Sequence, residues 1–149
     1  MTGLRFSSSR FGLDVEVFDD SAMVRHHGKE ERWGGDLIAG CALPRIVSAD
    51  RFDAFIFGRA AICATADTVW TWNADWPIYS IEAVGENVLI VEELALTMVA
   101  LSGGVIGQYH AADIVSDWAV EGSYLRITDY NGNSYALSQP ALSEATSGV

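Results

Sequence analysis

The chain has 149 residues, half of them apolar and 19% charged, and a formal net charge of −11. A chain of this size buries roughly 70% of its unfolded surface, enough for one domain without a metal or a disulfide. The composition excludes general disorder.

The charge is unevenly spread. Residues 1–59 hold eight of the nine basic residues against nine acids, a net of −1. Residues 60–149 hold Arg126 against eleven acids, a net of −10. Nucleic acid and anionic membranes are therefore not expected partners, because Lys and Arg supply the affinity for both. A basic protein would be attracted and steered. The most apolar stretch, VLIVEELALTMVALSGGVI, is interrupted by Glu92 and Glu93, so neither half reaches the roughly 20 residues of a membrane helix. The opening MTGLRFSSSRF has no apolar run of signal-peptide length, and the expected address is the cytoplasm. Cys41 and Cys63 form no CxxC pair and read as small buried residues.

In chain order, LDVEVFDDSAMV is a hairpin signal. Leu13, Val15 and Val17 alternate with Asp14 and Glu16, and Asp19-Asp20-Ser21 supplies the turn. The next stretch, VRHHGKEERWGG, is the most charged and reads as an exposed hairpin tip. There His26 and His27 point to opposite faces of a strand and do not share a metal. In SADRFDAFIFGRAAICATA, Phe52, Phe55, Ile56, Arg59 and Cys63 fall at helical spacing and Asp50 is a candidate cap. Gly58 weakens that helix. One helix over residues 50–64 is thus the alternative within an otherwise all-β reading.

TVWTWNADWPIY holds three of the five tryptophans. Trp70 and Trp72 share one face of a strand with Val69 on the other, and core is their expected place. Trp76, between Asp75 and Pro77, sits at a turn and is the expected exposed one. EELALTMVAL has good helix formers, yet a repeat argues for strand there. Ile78–Ser102 set on Ile114–Ser138 at an offset of 36, without a gap, is identical at eight of 25 positions. Such a period marks a repeated supersecondary unit. In its second copy, YLRITDYNGNSYALS is a hairpin with Asn131-Gly132 as the turn. The tail, residues 143–149, is small and polar and expected to fray, leaving one β domain over 1–142.

The expected fold is all-β and mainly antiparallel, about four strand–turn–strand units of about 36 residues each. In length and pattern a unit resembles a β-propeller blade, and a β-sandwich is the alternative.

No catalytic constellation stands out, so an enzyme is not the expectation. Ser7-Ser8-Ser9 lacks a GxSxG context. SGGVIG and RWGG lack the Lys of a phosphate loop. His110 with Asp113 is half a metal site at most. Neither metal nor cofactor is expected. The leading functional expectation is a non-catalytic, acidic protein-binding protein, concretely an inhibitor or immunity protein that covers a basic toxin. Its candidate contacts are Asp75, Trp76, Glu82, Glu86, Glu92, Glu93, Asp113, Asp117 and Glu121. The alternative is a carbohydrate or small-ligand binder, with weak hydrolase activity in one version, built on Trp70, Trp72 and Trp76. A third reading is a structural β domain that self-associates as a homodimer.

Overall fold

Among the described residues, the alternating and apolar runs become strands. A computed structural model describes residues 4–8, 10–26, 28–34 and 44–144. The described residues form sixteen strands and no helix, in four antiparallel four-stranded sheets, each a simple meander in sequence order. The first sheet is β1 (Leu4–Ser8), β2 (Leu13–Val17), β3 (Ser21–His26) and β4 (Lys29–Gly34). The second is β5 (Arg45–Ser48), β6 (Phe52–Phe57), β7 (Ala60–Thr65) and β8 (Val69–Asn73). The third is β9 (Ile78–Val84), β10 (Asn87–Glu92), β11 (Ala95–Ala100) and β12 (Val105–His110). The fourth is β13 (Val115–Glu121), β14 (Tyr124–Asp129), β15 (Ser134–Ser138) and β16 (Ser143–Glu144). No helix of the described residues is long and apolar enough to cross a membrane.

The chain divides into two compact units, Met1–Ile78 and Tyr79–Val149. In the first, Leu13, Val15, Val17 and Trp33 pack against Phe55, Ile62 and Ala64. Phe55 is the hub: its ring lies 5.4 Å from Phe6 and 5.9 Å from Trp33. In the second, Leu89, Val91, Leu96 and Met98 pack against Val115, Leu125, Ile127 and Leu137.

The helix over 50–64 does not form. Residues 52–57 and 60–65 are β6 and β7, joined through Gly58 at φ 67°. β7 is buried along its whole length and β6 along all but its last residue. A strand buried on both faces loses its polar alternation and satisfies helical spacing by default. Gly58, expected to weaken a helix, makes the turn because only glycine takes that φ freely. EELALTMVAL contains no helix: Glu92 ends β10, Glu93 and Leu94 turn the chain, and Ala95–Ala100 is β11. Ser143 and Glu144, expected in the tail, pair with Ser138 and Leu137 as β16.

The repeat is present, and the strand starts of its first hairpin lie 37 residues apart. β9 and β13 begin at Ile78 and Val115, β10 and β14 at Asn87 and Tyr124. Their connecting turns place Gly85 and Gly122 at φ 60° and 63°. At an offset of 36, Leu89 falls on Leu125 and Val91 on Ile127, all four in the second unit's core. The gapless alignment thus sets inward positions of β10 on inward positions of β14, while the strand starts and turn glycines lie 37 apart.

Candidate functional site

At one end of the second unit three connections meet: the β10–β11 turn, the loop before β13, and the β14–β15 turn. Backbone bonds fasten them. Ala111 N–H donates to the Leu94 carbonyl and Val115 N–H to the Glu93 carbonyl, both at 2.9 Å, and Tyr130 N–H donates to Ile114 at 3.0 Å. Asp113 Oδ1 accepts the Ile114 N–H at 2.7 Å, and its Oδ2 accepts from Asn131 Nδ2. The buried Asp129 carboxylate shapes the β14–β15 turn by accepting the N–H groups of Asn131 at 2.9 Å and Asn133 at 3.0 Å. Short acidic side chains favour such turns because they bond the backbone two residues on.

The result is an acidic, aromatic rim. Glu93 and Asp113 are half-buried, Tyr79 is half-buried, and Tyr130 is 70% exposed. Burial pushes the Tyr79 hydroxyl above its ordinary pKa, and the nearby Glu93 and Tyr130 push the same way. Lys and Arg in residues 79–149 amount to Arg126 alone, against nine carboxylates. Arg126 is already paired: its Nε and Nη2 lie 2.9 Å from Glu121 Oε1.

The nine acidic-surface candidates do not form one patch. Glu93 and Asp113 meet at the rim. Glu86, in the β9–β10 turn, and Glu121, at the end of β13, sit at the opposite strand ends of their sheets and are exposed. Glu82 is half-buried and accepts a hydrogen bond from Trp118 Nε1. Asp117 is exposed, its Oδ1 taking the Trp118 N–H at 2.9 Å. Glu92 is 2% exposed and engaged, so it is not available to a partner without rearrangement. Asp75 is exposed and Trp76 half-buried in the segment that follows β8, within the first unit.

Trp70 and Trp72 pair with Cys63 and Ala61, so they do share a face. Both are half-buried, as is Trp76, and all three make contacts. The fully buried tryptophan is Trp33, 3% exposed. Burial pushes the Cys63 thiol up to about 12, which removes it as a nucleophile. Cys41 and His27 lie outside the described residues. Among the described residues no group of three or more His, Cys, Asp and Glu is placed to hold a metal ion. Tyr79, Tyr130 and Asn131 were not singled out as contacts from sequence. The signal near them, DYNGN, is legible as a turn but not as a neighbour of Glu93.

No family model matches the chain, and no curated protein does. Solved structures do. Hsv2 of Kluyveromyces marxianus matches 98% of this chain and 49% of its own, with a TM-score of 0.52 and 11% identity. Hsv2 of Kluyveromyces lactis matches 91% of this chain and 48% of its own, with a TM-score of 0.52 and 12% identity. The chain spans about half the length of these structures. Identities this low carry the fold alone: a propeller-like array of four-stranded sheets.

Proposed function

We propose that this chain is a non-catalytic binding protein whose second unit engages a basic protein. The observation that carries this reading is the charge state of that unit: nine carboxylates face a single Arg126, which Glu121 already occupies. Uncompensated carboxylate charge attracts and orients a cationic partner. The acidic rim is its best contact, because Tyr79 and Tyr130 offer ring faces and edges beside Glu93 and Asp113. Lys and Arg bind such surfaces through charge and ring together. An inhibitor or immunity protein that covers a cationic toxin in the cytoplasm is the concrete form.

A pull-down from host lysate tests it, with washes at low and then high salt and mass spectrometry of what is retained. A basic protein held at low salt and shed at high salt is the expected result, since exposed charges more than about 8–10 Å apart are screened at physiological ionic strength and at shorter range as salt rises. Retention that ignores salt, or capture of no basic protein, overturns the reading. Self-association is a second reading, favoured by the half-length match to larger propellers. Light scattering separates one copy from two.

A further inference from the structure

We propose that β12 is a pairing edge, where an extended segment of a basic partner adds to the third sheet as a fifth strand. The inference rests on the acidic reading above and supplies its mode of engagement. β12 ends its sheet, and among the described residues its one strand partner is β11. Alternate residues of an edge strand turn their N–H and C=O outward, ready to pair with another chain.

Natural proteins usually guard such edges with charge. β4 is guarded: Lys29, Glu30, Glu31 and Arg32 are all exposed along it. β12 is not. It reads VIGQYH, without an acid, a lysine or an arginine, and it leaves Val105 57% and Ile106 38% exposed. β8 is equally uncharged, but it half-buries Val69, Trp70 and Trp72. A bulge opposite Met98 and Val99 disturbs the start of β12, while Gly107 to His110 keep regular register. Gly107 also lets the backbone at Ala141 lie where a Cβ would point, off one face of β12, and β16 lies near that strand.

The sign of the occupant follows from its surroundings. The Tyr109 hydroxyl donates to Glu144 at 2.9 Å, and Asp113 follows three residues after the strand. A second copy of this chain, also at −11, is repelled from that edge. A strand of alternating apolar and basic residues satisfies both ends: apolar side chains against Val105 and Ile106, cations beside Glu144 and Asp113.

Hydrogen exchange on the full chain tests this, with a synthetic peptide of about ten residues alternating Val and Lys as the probe. A twin that is N-methylated throughout keeps the charge but cannot pair as a strand. With the parent peptide, exchange at residues 105–110 slows about tenfold or more, and the twin leaves it unchanged. Ile106→Lys weakens parent binding by about tenfold or more. Three outcomes overturn the proposal. If the twin binds as well as the parent, or protection falls outside 105–110, charge alone drives association; the edge is then wrong and the basic-partner reading stands. If neither peptide binds at low salt, both readings fall. If light scattering shows copies pairing through β12, the occupant is this chain and not a basic one.

Discussion

In the first unit carboxylates sit among cations. Asp14 lies 2.9 Å from Arg5 and 3.6 Å from Arg25, and Glu30 lies 2.9 Å from Arg25. Asp53, 4% exposed, receives Arg10 Nη2 at 2.7 Å and the Ser8 hydroxyl. In the second unit nine carboxylates share one arginine. Yet the two units are built alike, each from two meandering sheets over an apolar core. The architecture thus tolerates either balance of surface charge, and the imbalance is the feature left to be explained by function. Fold and function part company at this point: burial specifies the sheets, and the proposed partner is argued from the surface alone.

Four substitutions sharpen or break that contrast. The largest effect is expected for Phe55→Ala in the first unit's hub, about 3–5 kcal/mol of stability by denaturant unfolding. A loss under about 1 kcal/mol would mean that the core of the first unit is not organised around this ring. Gly107→Ala comes next, in the second unit. A methyl there overlaps the Ala141 carbonyl, which is backbone and cannot swing away. The expected cost is about 1–3 kcal/mol, with faster hydrogen exchange in β12 and β15.

Third is Asp53→Asn, expected to cost about 1–3 kcal/mol by removing the charge that faces Arg10 and by replacing one of the two acceptor oxygens that serve Arg10 and Ser8 with an NH2 donor. Burial alone would raise the Asp53 carboxyl, but hydrogen bonds from Ser8, Ser48 and Arg10 outweigh it and hold the pKa below its ordinary value. A depressed folded value stabilises the fold above the unfolded pKa, and that contribution is lost as pH falls through the folded value. Wild-type stability should therefore drop on acidification below about pH 4, and the Asp53→Asn variant should drop less. Parallel curves would remove Asp53 from the account. The smallest effect is Arg126→Gln. Its pair with Glu121 is exposed, so about 0.2–1 kcal/mol at most is expected, while affinity for a basic partner should rise.

The sequence already carried the all-β class, the turn at Asn131-Gly132 and the alternation of Leu13, Val15 and Val17. These signals are local, and half-buried strands write them plainly. β6 and β7 were harder because burial on both faces erases alternation. The repeat itself was legible: the offset of 36 sets Leu89 on Leu125, both in the core, although the turn glycines Gly85 and Gly122 lie 37 apart. Of the rim, Glu93 and Asp113 were among the candidate contacts, but their coming together was not legible. Glu93 and Asp113 are twenty residues apart, and backbone bonds between three separate connections bring them together.

The most direct measurement is capture of the proposed basic partner by two double variants that carry the same net charge. Glu93→Gln with Asp113→Asn removes two charges from the rim. Asp14→Asn with Glu30→Gln removes two from the ion-paired sheet of the first unit. The account predicts that the rim variant loses the partner at a lower salt concentration than wild type, while the first-unit variant matches wild type. Equal loss in both would show that net charge alone attracts the partner, and would contradict a site at the rim.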